Sequence, residues 1–422
     1  MDLSGHVLDG KYQLVEIVGE GGMATVYKAI VRGAAGFQRA VAVKHIRPEF
    51  RQLKNYIDMF IEEARVGSEL AHPNIVQVHD FCSEEGSYFL VMEWVDGIDL
   101  GALIKWSREQ QKPSPWPLAA AIGIGTLRGL SAAHDRVAAD GTPAPVIHRD
   151  ISPHNVLLGI NGVVKLSDFG LARARDRAAS LTAPGTVKGK LSYLAPEVTF
   201  GKPNTAQSDL FGVGSCLWEA LTGERLFDGK TDVEIFKKIR ACQIPPITDK
   251  RPDVPPLFAA VLDTALAADP AHRYATADEF AQALGQVVKQ AVGINPTTAL
   301  GAAVVEARAT LRAGAADDQS TTEHKRPAEG QRGPKGSIDV EFSKPDLDVE
   351  PVPLTRPRRS TQAPTVNEIR RPTGEQPALG TDATQPAVRP PVQVAHTVRR
   401  SAPPPIPTSP PTPTTPRDPT KK

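Results

Sequence analysis

Cysteine is scarce in this sequence, and neither charge dominates it. The three cysteines, Cys82, Cys216 and Cys242, are far apart and form no CxxC pair. This pattern excludes a disulfide-framed secreted domain and a cysteine-based zinc site, and it is typical of a reducing compartment. The formal net charge is only +1, so the sequence lacks the strong basic field that favours nucleic acid or a membrane surface as the main partner.

Long hydrophobic runs are also missing. The most apolar stretch, residues 118–133, is interrupted by Arg128, and it is shorter than the ~20 residues that a membrane-spanning helix needs. The N-terminus does not have the charged and apolar regions of a signal peptide. The sequence therefore predicts a soluble, cytoplasmic protein without a membrane span.

Aromatic residues are nearly absent from the C-terminal part, whereas proline is abundant there. Residues 321–422 contain 21 of the 39 prolines and one aromatic residue, Phe342. Such a segment cannot bury enough apolar surface to offset its ordering entropy. We therefore predict a Pro-rich disordered tail over 321–422, preceded by a lead at 1–11, one folded domain at 12–289 and a further helix at 290–320.

The folded part changes character near residue 95. Before it, residues 12–47 alternate apolar and polar side chains, residues 55–70 have a helical period, and residues 75–81 and 88–93 are strand-like. After it, the sequence is mainly helical and rich in alanine. We predict an α+β fold of two lobes: a small antiparallel β-sheet lobe of about five strands with one helix, and a mainly helical lobe. Clefts between lobes favour ligands.

A glycine-rich turn connects the first two predicted strands. The segment GEGGMATV at 19–26 places Gly19 and Gly21 in this turn, and Ala24 stands where a third glycine would complete a GxGxxG pattern. Glycine lets the backbone approach phosphates and point its amides at them. On its own, this motif also fits an ordinary glycine-rich hairpin.

A lysine ends the third predicted strand. Lys44 follows the apolar run VAV. A lysine in this setting is either a surface residue that extends its amine to solvent or a point charge for nucleotide phosphates. The second interpretation needs a carboxylate partner on the following helix. Glu63 and its neighbour Glu62 are both candidates, and spacing alone does not separate them; we favour Glu63.

Two polar motifs carry the strongest chemical signal. HRDISPHN at 148–155 places Asp150 and Asn155 five residues apart in a loop, and the triplet Asp168-Phe169-Gly170 directly follows another strand. One carboxylate can take a hydroxyl proton, while the amide and the second carboxylate supply the oxygen ligands that Mg²⁺ prefers. Both motifs in this order, with the lysine and the glycines upstream, are not a chance combination.

Together these motifs resemble the protein kinase family, and most closely the bacterial eukaryotic-like (Hanks-type) serine/threonine kinases, over residues 12–288. The resemblance implies ATP and Mg²⁺ as cofactors, Ser and Thr hydroxyls of proteins as substrates, and activation by autophosphorylation, a partner kinase or dimerisation. It implies catalytic roles for Lys44, Glu63 and Asp150, and magnesium binding by Asn155 and Asp168. The nucleotide contacts that it implies are Val18, Gly19, Glu20, Gly21, Gly22, Met23, Ala24, Thr25, Val26, Ala42, Lys44, Glu93, Val95, Asp99 and Leu157.

Further residues fit the same pattern. The APE triplet that ends at Glu197 resembles the motif closing the activation segment of kinases, and Arg273 resembles the arginine that pairs with its glutamate. Asp209 resembles the aspartate that supports the catalytic loop. Arg149, before the catalytic aspartate, is typical of kinases whose activation segment is ordered by a captured phosphate. The candidate phosphate acceptors are Thr186, which we favour, Thr182 and Ser180.

Two positions depart from the family pattern. Serine/threonine kinases usually have a lysine two residues after the catalytic aspartate and a threonine seven residues before the APE glutamate, whereas this sequence has Ser152 and Lys190 there. In the family these two side chains meet beside the catalytic aspartate. We therefore place Lys190 among the catalytic residues, as the positive charge that Ser152 does not supply. The alternative is a solvated charge in a slow enzyme.

Other functions are compatible with parts of the sequence. A pseudokinase scaffold that acts through its tail typically loses one of the four residues Lys44, Asp150, Asn155 and Asp168, and all four are present. A small-molecule kinase is disfavoured because the APE-bearing segment builds a peptide-binding ledge. Tyrosine is a less favoured acceptor than Ser or Thr, although Ser152 removes the usual Ser/Thr marker.

Overall fold

The alternating N-terminal half forms an antiparallel sheet. The computed structural model describes residues 2–169 and 191–323, with side chains of the last helix described as far as residue 313. The sheet has six strands in the order β1-β2-β3-β4-β6-β5. Their bounds are Val7–Leu8 (β1), Tyr12–Glu20 (β2), Ala24–Arg32 (β3), Gln38–Ile46 (β4), Val78–Glu84 (β5) and Ser87–Glu93 (β6). The sequence predicted about five strands, and the additional one, β1, lies within the predicted lead.

The two faces of β4 have different roles. Val41 and Val43 are fully buried in the core of the small lobe. Because successive side chains of a strand point to opposite faces, Ala42 and Lys44 lie on the other face. Val26 of β3 is the register partner of Lys44, so it shares that face. Lys44 thus lies on the face of the sheet opposite that of Val41 and Val43.

One apolar run is divided between the lobes. The sequence predicted a strand over 75–81, whereas β5 begins at Val78. Ile75 instead forms a parallel bridge with Leu166, and the amide of Val76 donates to the carbonyl of Leu166 at 2.9 Å. These buried residues therefore join the small lobe to the large one.

A helix and a small second sheet complete the framework around the cleft. Helix α1, Lys54–Glu69, follows β4. The second sheet has three antiparallel strands, Gly97–Asp99 (β7), Val156–Gly159 (β8) and Val164–Leu166 (β9), in the order β7-β8-β9. It belongs to the helical lobe and carries the segments before and after both polar motifs.

The second half is helical, as the sequence predicted. Its helices are Leu100–Glu109 (α2), Trp116–His134 (α3), Pro196–Thr199 (α4), Ala206–Thr222 (α5), Asp232–Ala241 (α6), Ile247–Lys250 (α7), Pro256–Ala265 (α8), Ala277–Val288 (α9) and Pro296–Glu323 (α10). Helix α3 is apolar and buried over most of its circumference because it runs through the core, and Arg128 is its exposed side chain of opposite character. The core of this lobe extends from α1 to α10.

The predicted helix at 290–320 is present as α10. Leu300, Val304 and Ala307 are fully buried in the core of the large lobe. Their spacing of four and three residues places them on one face of the helix. Docking of α10 on the lobe was not part of the sequence prediction.

Within residues 2–169 and 191–323, no helix has the length and apolar character needed to cross a membrane. The predicted disordered tail falls outside the described residues, apart from the end of α10. Gly170, Lys190 and the three candidate phosphate acceptors, Ser180, Thr182 and Thr186, also lie outside them.

Candidate active site

A buried cation lies between two carboxylates in the cleft. Lys44 at the end of β4 donates from Nζ to Oε1 of Glu63 at 2.6 Å and to Oδ1 of Asp168 at 2.7 Å. The side chains of Lys44 and Glu63 are only 12% and 10% exposed. The three charges come from β4, α1 and the segment after β9, so they join the sheet, the helix and the large lobe at one point.

The periodicity of α1 determines which glutamate reaches the lysine. Phe60, Glu63, Ala64 and Gly67 are buried on one face of α1. Glu62 lies on the opposite side, where it binds Arg65 at 2.6 Å on the surface. The structure therefore pairs Lys44 with Glu63, the residue that we favoured.

The electrostatics of this group favour a charged lysine. Burial alone would lower the pKa of Lys44, but Asp168 and Glu63 outweigh burial and raise that pKa above its ordinary value. Burial raises the pKa of the Glu63 carboxyl; the attraction of Lys44 opposes this shift, and the charge of Asp168 adds to it. One cation thus serves two carboxylates, and Lys44 retains its proton.

The loop over 148–155 fixes the orientation of one side-chain amide. Asn155 ends a short 3₁₀ helix, Pro153–Asn155, and is buried. Its Nδ2 donates to the backbone carbonyl of Asp150 at 2.7 Å and to Oδ2 of Asp150 at 3.2 Å. Because both donor contacts of Nδ2 go to Asp150, the Oδ1 atom of Asn155 is directed away from that residue.

A buried aspartate holds the backbone of the loop over 148–155 through hydrogen bonds. Oδ2 of Asp209 accepts the amide of His148 at 2.8 Å, and its Oδ1 accepts the amide of Arg149 at 2.8 Å. Nε2 of His134 also lies 2.9 Å from Oδ2 of Asp209. Arg149 has a positive φ of 68°, an uncommon conformation for a side-chain-bearing residue. Asp209 holds the loop in this turn, as the family pattern implied.

Asp168 and Asn155 supply oxygen donors suited to Mg²⁺. The amide of Ser167 donates to the carbonyl of Asn155 at 2.9 Å, so the two segments run side by side. Asp168 has a φ of 55°, a left-handed conformation of the kind that persists at functional sites. Carboxylate and amide oxygens match the preference of this hard cation. The donor set therefore fits the predicted metal.

The glycine-rich segment forms the β2–β3 hairpin. The amide of Gly21 donates to the carbonyl of Ala24 at 2.8 Å, and a Cβ at position 21 would lie 3.3 Å from that carbonyl. Gly19 pairs with Val26 in the register of the two strands. The predicted nucleotide contacts over 18–26 thus lie on a single hairpin, and Val26 shares the sheet face of Lys44.

The remaining predicted nucleotide contacts lie on both lobes. Ala42 pairs with Met92 of β6, next to Glu93, whose amide donates to the carbonyl of Gln77 at 2.8 Å. Leu157 pairs with Asp99 in the second sheet. Asp99 also caps α2, because its Oδ1 accepts the amide of Ala102 at 2.9 Å.

A buried ion pair braces the large lobe. Arg273 donates from Nη1 and Nη2 to the two carboxylate oxygens of Glu197 at 2.9 and 2.8 Å. Ser208 donates to Oε1 of the same carboxylate at 2.8 Å. This is the pairing that the APE motif and Arg273 predicted.

Ser152 is the departure from the family pattern that the structure describes. Its side chain is 1% exposed, and among the described residues its Oγ has no hydrogen-bond partner. A buried hydroxyl without a partner is uncommon. The proposed counterpart, Lys190, is outside the described residues.

The connection between the lobes runs from Glu93 at the end of β6 to Gly97 at the start of β7. Sequence reasoning missed two of its ion pairs. Glu93 binds Lys165 of β9 at 2.8 Å, and Asp96 binds Arg308 of α10 at 2.7 Å. Neither pair has a sequence motif. The acidic residues on each side of Val95 could have suggested ion pairs at this connection. Nothing in the sequence indicated that their partners would be Lys165 and Arg308.

Comparison with known proteins agrees with this geometry. Residues 12–285 match the protein kinase domain family. The chain is 38% identical over 293 residues to "Tyrosine-protein kinase MasK" of Myxococcus xanthus (strain DK1622), covering 69% of this chain and 45% of that protein. It is 34% identical to "Serine/threonine-protein kinase PrkC" of Bacillus subtilis (strain 168), covering 66% and 40%. It is 33% identical to "Serine/threonine-protein kinase PknA" of Mycobacterium tuberculosis (strain ATCC 25177 / H37Ra), covering 67% of this chain and 62% of that protein.

The chain thus spans less than two thirds of the length of these curated relatives. Among solved structures, the PknI kinase domain of Mycobacterium tuberculosis is similar, with a TM-score of 0.50 and 27% identity over 67% of this chain and 98% of that one. The match to the family covers more than half of the residues and includes both polar motifs. The chain belongs to the protein kinase family, in its bacterial Hanks-type group.

Proposed function

We propose that this protein transfers the γ-phosphoryl group of ATP to serine or threonine hydroxyls of proteins. One observation carries the proposal. Lys44, Glu63 and Asp168 meet through contacts of 2.6 and 2.7 Å, while Asp150 and Asn155 are joined beside them in one loop. This arrangement is the one that phosphoryl transfer needs, since catalysis in this class is mainly positioning and charge stabilisation.

Each residue then has a defined task. Lys44 binds the α- and β-phosphates, and Glu63 holds its amine in place. Asp150 orients the acceptor hydroxyl and takes its proton. Asn155 and Asp168 are the Mg²⁺ ligands; the bound ion would neutralise charge on the phosphates. The hairpin over 18–26 covers the triphosphate with its backbone amides.

Adenine would be bound where the lobes meet. We assign its apolar contacts to Val18, Val26, Ala42 and Leu157, and the hydrogen bonds to the backbone of Glu93 and Val95. Asp99 would bind the ribose. Support for this assignment is that Val26 and Ala42 lie on the same sheet face as Lys44.

Lys190 is proposed to act beside Asp150. Ser152 carries no charge where the family usually has lysine, and its buried Oγ has no described partner. A cation at position 190 would stabilise the charge of the transferring group.

Tyrosine is the second candidate acceptor. The usual Ser/Thr marker is replaced by Ser152, and a relative that is 38% identical has the name "Tyrosine-protein kinase MasK". We favour Ser and Thr because PrkC and PknA, which are 34% and 33% identical, have names that specify serine/threonine kinases.

Regulation and location belong to the same proposal. Arg149 would bind a phosphorylated activation-segment residue, with Thr186 favoured over Thr182 and Ser180, and the phosphate would come from the protein itself, a partner kinase or a dimer. The three cysteines are free thiols, which fits a cytoplasmic site of action.

An autophosphorylation assay tests the proposal. Wild-type protein is incubated with radiolabelled ATP and Mg²⁺, followed by phosphoamino-acid analysis and phosphosite mapping. We expect phosphoserine and phosphothreonine, and at least a ~10³-fold loss in Asp150→Asn. Asp263→Asn is the matched control because Asp263 is exposed on α8. Nucleotide binding without transfer in wild type would instead indicate a pseudokinase scaffold, and phosphotyrosine alone would establish the second candidate.

A further inference from the structure

Helix α10 lies beyond the residues that match the family and contacts the connection between the lobes. The family match ends at residue 285, and α10 spans Pro296–Glu323. Its buried face packs into the core of the large lobe through Leu300, Val304 and Ala307. These apolar contacts stabilise the docked helix, but apolar packing alone does not determine its exact position. The polar and backbone contacts of α10 are more specific.

The backbone of α10 approaches the β8–β9 turn very closely. A Cβ added at Gly301 would lie 2.6 Å from the carbonyl oxygen of Ile160, and one added at Gly162 would lie 2.0 Å from that of Thr297. Only glycine permits such approach. Gly162 also has a φ of +76°, so the turn itself depends on glycine. The helix and the turn therefore fix each other's position.

The same turn and the same helix hold Asp96. The amide of Ile160 donates to the backbone carbonyl of Asp96 at 2.9 Å. The guanidinium of Arg308 binds Oδ1 of Asp96 at 2.7 Å, and the Arg308 side chain is only 19% exposed. Asp96 follows Val95, whose backbone we assigned to adenine. Two contacts, one through the turn and one directly from α10, thus end on the residue next to the nucleotide.

We propose that α10 positions the connection between the lobes for nucleotide binding, with Arg308 as a positioning residue that acts through Asp96. The inference rests on the proposed ATP-dependent function. A backbone held in its binding conformation loses less entropy when the nucleotide binds. Arg308 has no described contact with Lys44, Asp150 or Asp168, so its effect is on nucleotide affinity and not on the transfer step.

A purely structural role of α10 gives a different expectation. If the helix only covers apolar core, then loss of the Arg308–Asp96 pair changes the melting temperature slightly and leaves nucleotide affinity unchanged. Affinity is therefore the readout that separates the two roles.

The test compares substitutions at the ion pair in the full chain. The variants are Arg308→Ala, Arg308→Lys, Asp96→Asn and the Arg308→Ala/Asp96→Asn double variant. Arg312→Ala is the matched control, because Arg312 is exposed one turn further along α10. Titration calorimetry with the non-hydrolysable analogue AMP-PNP and Mg²⁺ gives Kd, and steady-state assays give KM for ATP and kcat.

We expect Kd and KM to rise roughly threefold in Arg308→Ala and Asp96→Asn, the range for a partly exposed ion pair, with kcat within about twofold of wild type. The double variant should bind AMP-PNP no more weakly than either single variant, since both substitutions remove the same contact. Arg308→Lys should recover part of the affinity. Unchanged affinity in both single variants, additive losses, or an equal loss in Arg312→Ala would overturn the proposal.

A glycine substitution tests the contact through the turn. Gly162→Ala places a Cβ against Thr297, whereas Gly141→Ala imposes comparable backbone strain, φ +85°, with no atom within 4 Å. We expect weaker AMP-PNP binding in Gly162→Ala than in Gly141→Ala at matched folded fraction. Equal binding would contradict the role of the turn. AMP-PNP binding is measured without turnover. If the protein did not transfer phosphate, the proposed activity would be refuted, but the binding comparisons would still decide the role of α10.

Discussion

At the residue scale, Lys44 is held between carboxylates of different origin. Glu63 comes from α1 and Asp168 from the segment after β9. We expect Glu63→Gln to lower kcat/KM for ATP roughly 10- to 100-fold, because it removes a buried charge-assisted hydrogen bond worth ~1.5–3 kcal/mol. Steady-state kinetics against a peptide substrate measure this loss.

Glu62→Gln is the control for that experiment. It removes the same charge from the adjacent position, but Glu62 binds Arg65 on the surface, where an ion pair contributes ~0.2–1 kcal/mol at most. Its kinetics should stay within about twofold of wild type. Equal losses in the two variants would show that the net charge of α1, and not the contact with Lys44, sets the activity.

The position of Lys190 leads to a second prediction at this scale. Lys190→Ala should lower kcat at least ~10-fold and leave KM for ATP nearly unchanged, because a charge that acts on the transferring group affects the transition state. The Ser152→Lys/Lys190→Thr double variant, which restores the usual family pair, should regain most of the turnover. If Lys190→Ala retains full kcat, Lys190 is only a solvated charge.

The sequence identified the chemical groups of the site but not all of their contacts. Spacing alone did not decide whether Glu62 or Glu63 pairs with Lys44. The helical period of Phe60, Ala64 and Gly67 nevertheless places Glu63 on the buried face. That signal was present and unused. The pairing of Asp96 with Arg308 was not predictable in this way, because the two residues are distant in sequence and their approach depends on how α10 docks.

At the scale of elements, the Glu197–Arg273 pair joins α4 to the segment before α9. Burial acts to raise the pKa of the Glu197 carboxyl, but hydrogen bonds from Arg273 and Ser208 outweigh it and lower that pKa below its ordinary value. Glu197 is only 6% exposed. Removing one partner of a buried ion pair leaves the other unpaired, at a cost of several kcal/mol.

We therefore expect Glu197→Gln to lower the free energy of unfolding at pH 7 by about 3 kcal/mol. The stabilisation is present above the unfolded glutamate pKa of about 4.3 and is lost as pH falls through the lower folded value, because the unfolded state then binds the proton more readily. The difference between wild type and variant should therefore shrink in acid. Urea unfolding from pH 7 to well below the unfolded glutamate pKa measures it, with Glu109→Gln, a surface glutamate near Lys105, as the control. A difference that does not depend on pH would contradict this assignment.

Helix bounds were predictable to within a few residues where apolar residues followed a helical period or formed a continuous run. The sequence predicted helices over 55–70 and 118–133, and the structure has Lys54–Glu69 and Trp116–His134. The strand over 75–81 was wrong at its start, because Ile75 pairs with Leu166 in the other lobe. A local period cannot predict that an apolar run bridges two lobes, since the partner lies about 90 residues away.

At the scale of the whole molecule, the two-lobed α+β fold was predictable because its motifs occur in a fixed order. The polar residues of the cleft come from both lobes: Lys44 and Glu63 from the small one, and Asp150, Asn155 and Asp168 from the large one. Nucleotide and metal would therefore contact both lobes at once. A ligand that binds only the folded state stabilises it by mass action, about 2.7 kcal/mol at 100 times Kd.

From this arrangement we expect AMP-PNP with Mg²⁺ to raise the melting temperature by roughly 5 °C, and EDTA to remove most of that increase. Asp168→Asn should lose the Mg²⁺-dependent part, because it removes the charge of a carboxylate that we assign to the metal. Asp150→Asn should retain the increase and still be inactive, since Asp150 is assigned to the acceptor hydroxyl and not to the nucleotide. Differential scanning fluorimetry of wild type and both variants, with and without EDTA, measures these melting temperatures. An equal increase in melting temperature in wild type and Asp168→Asn, unaffected by EDTA, would place the nucleotide outside the cleft. A site formed by Lys44, Asn155 and Asp168 needs the Asp168 carboxylate to bind Mg²⁺ with the nucleotide.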